Sequence, residues 1–133
     1  MYKIKVLLAD DHDSFRRILL GFLRAQSGIE VVGEAIDGQE AVEKAASLNP
    51  DLVFMDIHMP KQNGIEATKA IKSHMPSTKV FILSMDPSEF YRKNTQEFAD
   101  GFIVKSSLKK DLLSVLSQEQ RLMNPLAANA AAA

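Results

Sequence analysis

Apolar residues along this chain alternate between short unbroken runs and longer stretches in which they recur every three to four positions. A short unbroken run predicts a strand covered on both faces, and a period near 3.6 predicts a helix with one buried side. Residues 3–9, ending in Val6-Leu7-Leu8-Ala9, predict the first strand. Phe15, Ile18, Leu19, Phe22 and Leu23 then fall at helical spacing and predict a helix whose buried stripe includes all five, stopped by Gly28. Residues 30–36, rich in Val and Ile, predict a second strand. A second helix starts near Gly38 and ends before Asn49-Pro50, because a residue preceding proline is pushed out of the helical region. The run Asp51-Leu52-Val53-Phe54-Met55 predicts a third strand ending at Asp56, and Met59-Pro60 and Asn63-Gly64 mark the loop behind it. Residues 65–74 predict a helix closed by Met75-Pro76, and residues 79–83 a strand ending at Ser84. Residues 87–98 are expected to hold a fourth helix, although the apolar pattern is weak and Asn94 and Thr95 are mediocre helix formers. Residues 101–104 predict a short strand ending at Lys105, and Leu108, Leu112, Val115 and Leu116 mark a last helix.

Five repeats of strand then helix imply an α/β fold, a doubly wound five-stranded parallel sheet with helices on both faces. In such folds function sits beyond the carboxyl ends of the strands, where strand order reverses. The polar residues just past the predicted strands are Asp10 and Asp11, Asp37, Asp56, Ser84 and Lys105. Bare carboxylates brought together repel, by roughly 4 kcal/mol for two charges about 4 Å apart near a protein surface. Asp10, Asp11 and Asp56 therefore predict a cation. Hard oxygen ligands favour Mg²⁺ or Ca²⁺, and Mg²⁺ fits better because it commonly takes one or two carboxylates, several waters and a phosphate. Lys105 adds an ammonium and Ser84 a hydroxyl donor. A metal, an ammonium and a hydroxyl around one aspartate suit the capture of a phosphoryl group, and an Asp carboxylate is a competent nucleophile for it.

Each of these residues has an ordinary reading when taken alone: loop aspartates, a solvated lysine, an uninformative serine. Their joint placement at strand ends is what favours chemistry. Asp13 is expected to cap the first helix, and Asp37 with Gly38 to form a turn and helix start. His12 and His74 are expected at the surface, and the methionines mostly in the core.

Composition narrows the class. The chain has 133 residues, 46% of them hydrophobic and 25% charged, which suits one globular domain that needs no metal or disulfide for its core. It has no cysteine, so disulfides and thiolate metal sites are excluded. The net charge of −1, with no basic block, argues against nucleic-acid binding by this domain. No stretch is long and apolar enough to cross a bilayer, and the N-terminus lacks a signal-peptide pattern, so a cytoplasmic location is expected. Residues 1–122 are read as one domain, and residues 123–133 as the start of a linker followed by an alanine-rich tail of artificial origin.

The stretch Val6-Leu7-Leu8-Ala9-Asp10-Asp11-His12 resembles the opening of response regulator receiver domains. Residues 50–60, Pro50-Asp51-Leu52-Val53-Phe54-Met55-Asp56-Ile57-His58-Met59-Pro60, with Gly64 beyond, resemble their phosphoacceptor segment. Ile82-Leu83-Ser84 and Ala99-Asp100-Gly101-Phe102-Ile103-Val104-Lys105 resemble the last two signature regions. The likeness covers roughly residues 3–120, with highly specific motifs, and is greatest to regulators of the LuxR/NarL type, whose output is a helix-turn-helix DNA-binding domain. It implies the flavodoxin-like receiver fold and phosphorylation of Asp56 by a sensor histidine kinase. It further implies Mg²⁺ held by Asp10, Asp11, Asp56 and the backbone carbonyl of His58. Lys105 would hold the phosphoryl oxygens, Ser84 would swing toward them, and the ring of Phe102 would follow. The modified residue gains about −1.5 to −2 charge, which Ser84 and Lys105 can meet. The resemblance also implies dimerisation on phosphorylation and DNA contact only through a domain that this sequence does not include.

Several departures bear on these expectations. Phe102 stands where Tyr is common, and Met85 follows Ser84 where smaller residues are usual and is expected to crowd the phosphoryl site. The segment between Ser84 and Lys105 is about one residue shorter than usual, so the fourth helix is expected to be short or shifted. One rival reading is an enzyme, a phosphatase of the haloacid dehalogenase kind, which would carry phosphate on Asp11. Its expected Gly-Thr continuation is replaced by Ser14-Phe15, and the chain has no room for a cap domain. The other rival is a nucleotide- or flavin-binding module, against which stands the absence of a glycine-rich loop after the first strand.

Overall fold

The computed structural model describes residues 2–92 and 94–123. Five strands, β1 (Ile4–Ala9), β2 (Ile29–Ala35), β3 (Leu52–Asp56), β4 (Lys79–Ser84) and β5 (Gly101–Val104), alternate with helices α1 (Asp13–Arg24), α2 (Gly38–Leu48), α3 (Gly64–His74), α4 (Ser88–Arg92) and α5 (Leu108–Met123). The strands pair in parallel in the order β2-β1-β3-β4-β5, the predicted doubly wound sheet. The alanine-rich tail lies outside the described residues. α5 continues through Met123, so the helix reaches the first residue assigned to the linker.

Both faces of the sheet are covered, which is why its strands read as unbroken apolar runs. Alternate residues of one strand serve opposite layers. Val6, Leu8, Phe54 and Leu83 pack with Leu19 and Leu23 of α1 and Leu108, Leu112 and Leu116 of α5. Leu7, Ala9, Val53, Met55 and Ile82 pack with Ala41 and Ala45 of α2 and Ala67 and Ile71 of α3. The predicted stripe on α1 is narrower than expected: Leu19 and Leu23 are fully buried, whereas Ile18 is 61% exposed. The methionines divide as well, with Met55 buried and Met85 at 69% exposure.

The fourth helix is the largest departure from the periodicity. Rather than filling residues 87–98 it makes the short α4, as the shortened segment predicts, followed by Asn94 in the left-handed region at φ 56° and a 3-10 turn, Thr95–Glu97. The hydroxyl of buried Thr95 donates to the carbonyl of Phe90 at 2.6 Å, taking an acceptor that an amide one turn on would use in a continuing helix. Strand order reverses around β1, between β2 and β3, so the edge beyond β1 and β3 is where a doubly wound fold places its site.

Candidate phosphoryl-acceptor pocket

Ala9 pairs with Met55, which sets the residue after β1 beside the last residue of β3. Asp10 is fully buried; its amide still donates to Ala35 of β2, and its carbonyl is held by Arg16 Nη1 at 2.8 Å. Its carboxylate accepts the His12 amide at 2.9 Å on Oδ1 and meets Lys105 Nζ at 2.8 Å on Oδ2. Asp56 is 3% exposed. Its Oδ1 accepts the His58 amide at 3.3 Å, while its Oδ2 makes no hydrogen bond among the described residues. Lys105 Nζ stands 3.5 Å from that Oδ2 and His12 Nδ1 3.8 Å from it. Asp11 is partly exposed, and its buried Oδ1 likewise lacks a hydrogen bond. One ligand atom each from Asp10, Asp11, His12 and Asp56 lies within 4.8 Å of the others.

Burial, and after it the charge of Asp10, raises the Asp56 carboxyl from 3.8 to about 6; Lys105 and the His58 amide oppose the rise without cancelling it. A buried carboxylate with an unmet oxygen among like charges is a strong invitation to a hard cation. The donor set, all hard carboxylate oxygens with Asp11 Oδ1 and Asp56 Oδ2 lacking a hydrogen bond, therefore fits Mg²⁺. Lys105, in the 3-10 turn Lys105–Ser107 after β5, is 7% exposed along its side chain and lies 4.3 Å over the ring of Phe15 of α1. That apolar roof and the two aspartates fix the ammonium beside the acceptor.

The loop behind Asp56 depends on Gly64. A Cβ there would stand 2.0 Å from the carbonyl oxygen of Asp56, so only glycine lets α3 begin so close to the acceptor. Asn63 caps α3 by accepting the Glu66 amide at 2.9 Å. Asp37 caps α2 by accepting the Glu40 amide at 2.8 Å, the helix start expected of it.

Ser84, 2% exposed, ends β4. Its hydroxyl lies 3.0 Å from both the Asp86 carbonyl and Glu89 Oε1, and it accepts the Asp86 amide at 3.1 Å. Phe102 of β5 is half-buried, with its ring stacked on that of Phe90 at 4.4 Å between centroids. Four residues of this neighbourhood carry no signal in the pattern. His12 is exposed as expected, yet its Nδ1 stands 3.2 Å from Asp10 and 3.3 Å from Asp11. Arg16 pins the acidic turn, and Glu89 and Phe90 hold Ser84 and Phe102. The i, i+3 spacing of Asp13 and Arg16 is the one local hint, and it gives their 2.7 Å ion pair. Asp13 is not the cap of α1: His12 holds that position without a side-chain bond, and Asp13 is the first helical residue, where its charge favours the helix N-terminus. Met85, turned to solvent, does not crowd the pocket.

A family model, the response regulator receiver domain, matches residues 6–117. The chain belongs to the response regulator receiver domain family. It is 40% identical over 120 residues to the response regulator protein VraR of Staphylococcus aureus, an alignment spanning 89% of this chain and 57% of VraR. It thus spans little more than half the length of the curated relatives it matches. The response regulator domain of Thermotoga maritima CheB superposes with a TM-score of 0.79 at 35% identity, over 92% of this chain and 97% of that one. The receiver domain of the response regulator NarL from Mycobacterium tuberculosis does so at 0.80 and 30% identity, over 89% and 96%. This receiver domain is a signalling module with an acidic pocket, and among its described residues no helix is long and apolar enough to cross a membrane.

Proposed function

We propose that this receiver domain takes a phosphoryl group from a sensor histidine kinase in the cytoplasm onto Asp56, and that the modification resets Ser84 and Phe102. The unmet, buried Oδ2 of Asp56, facing Lys105 across 3.5 Å within the acidic cluster, is the observation that carries this reading. An oxygen of Asp56 attacks phosphorus, a P–O bond forms as the P–N bond of the phosphohistidine breaks, and the imidazole leaves with its electron pair and gains a proton. Lys105 already lies between Asp10 and Asp56, so it meets the phosphoryl oxygens with little movement. Asp10, Asp11, Asp56 and the backbone carbonyl of His58 would hold Mg²⁺. Bound Mg²⁺ neutralises the carboxylates and the phosphoryl charge. Self-catalysed phosphotransfer and dephosphorylation are the extent of the chemistry; the domain is a switch rather than a turnover enzyme.

The output belongs to the longer protein. By its resemblance to LuxR/NarL-type regulators, this receiver controls transcription through a DNA-binding domain, with dimerisation on phosphorylation. Incubation with acetyl phosphate and Mg²⁺ tests the acceptor. The wild type should take up phosphate and D56N should not, because an amide cannot form the mixed anhydride; equal uptake by the two would place the acceptor elsewhere.

A further inference from the structure

Glu89 is buried at 7% exposure, and the acceptor chemistry does not use it. Its Oε2 lies 2.7 Å from His58 Nε2 and its Oε1 3.0 Å from Ser84 Oγ. We infer that Glu89 is a latch: its carboxylate holds the Ser84 hydroxyl in the resting position and, through the His58 ring, ties it to the loop that follows Asp56. The inference rests on the reading of Asp56 as acceptor and Ser84 as responder.

An ionised carboxylate only accepts hydrogen bonds, and a serine hydroxyl has one proton to give. In this structure that proton goes to Glu89 Oε1 or to the Asp86 carbonyl, both at 3.0 Å. To donate to a phosphoryl oxygen on Asp56, Ser84 must give up both. With Glu89 ionised, its bond to the hydroxyl is charge-assisted and buried, so it opposes the move more than the bond to the neutral carbonyl does. The His58 contact keeps the carboxylate in place on its other oxygen, so Glu89 is a fixed acceptor rather than a mobile one. His58 is also the residue whose backbone carbonyl is proposed to face the cation. One side chain therefore links the cation loop to the responding serine.

The next residue extends the link. Phe90 stacks on Phe102 at 4.4 Å, so consecutive residues of α4 grip both residues proposed to move. α4 has five residues and ends before the left-handed Asn94, which leaves little helix to resist displacement. Departure of Ser84 removes one tie from Glu89, next to the residue that stacks on Phe102. Glu89 is thus a positioning residue that sets how readily the domain responds.

The test is an NMR titration of this domain with beryllofluoride, a phosphoryl mimic, in Mg²⁺, comparing wild type, E89A, E89Q, S84A and S84A/E89A. In E89A the resting amide signals of Ser84 and Phe102 should lie part-way toward their beryllofluoride-bound positions. Its half-saturating beryllofluoride concentration should fall by about three- to tenfold, the range of one ordinary net hydrogen bond, because the Asp86 carbonyl remains as an alternative acceptor for the hydroxyl. E89Q, which keeps the volume and a weaker acceptor, should fall between, and it carries the test alone if E89A does not fold. In the S84A background E89A should change the midpoint by less than it does in the wild type, since the hydroxyl it holds is gone. Folded variants with unmoved resting signals and an unchanged or higher midpoint would overturn the latch. A wild type that ignores beryllofluoride in Mg²⁺ would instead overturn the acceptor reading, and the latch with it.

Discussion

At the scale of single residues, Asp56 is kept expensive to ionise. Its carboxyl titrates near 3.8 when exposed and is raised to about 6 in the fold. Between those values the folded state binds the extra proton, so the stability of the metal-free domain should fall as pH rises through that window and level off above it. D56N should remove this slope and stabilise the metal-free domain at neutral pH by about 1–3 kcal/mol. Urea unfolding of both proteins at pH 4 to 8 measures the difference, and parallel curves would refute the burial argument. The cation makes a second test: D11A should lose Mg²⁺ binding by calorimetry, whereas K105A should retain it and respond less to phosphorylation. Asp10, Asp11, Asp56, Ser84 and Lys105 were legible in the sequence because each follows an apolar run that only a buried strand explains. His12 was not, since an outward-facing residue of a turn leaves no periodic trace. Arg16 and Glu89 were not, because their partners at Glu34, Ser84 and His58 are set by the fold.

Elements were legible where apolar spacing was strong, and their faces less so. α1 carries five apolar residues at helical spacing, a stripe wider than the sheet can cover, so one edge of it meets solvent. Leu19 and Ile18 then separate by burial despite adjacent positions. L19A should cost about 2–5 kcal/mol of stability, and I18A less than about 0.5 kcal/mol. Similar losses in chemical denaturation would mean that the helix is rotated from the position described. The fourth helix failed as a twelve-residue element because Asn94 takes a left-handed conformation and the Thr95 hydroxyl occupies the Phe90 carbonyl. Neither event can be read from hydrophobic spacing; the weak helix formers Asn94 and Thr95 and the shortened segment were the only signal of a short helix.

The whole molecule follows from the alternation of strands and helices, and strand order alone brings the residue after β1 to the end of β3. With a net charge of −1 the domain lacks the basic footprint that phosphate-backbone binding needs. It should therefore show no DNA binding in a gel shift at physiological salt, phosphorylated or not, while beryllofluoride should favour a dimer in sedimentation; specific, salt-resistant binding would contradict this. The central claim is narrower and concerns one atom group, the carboxylate of Asp56. Treating the phosphorylated domain with borohydride converts a phosphorylated aspartate to homoserine, which peptide mass spectrometry locates. Homoserine at position 56, and its loss when Mg²⁺ is withheld, is the result predicted; homoserine at position 11, as a phosphatase would give, or at neither, would contradict it.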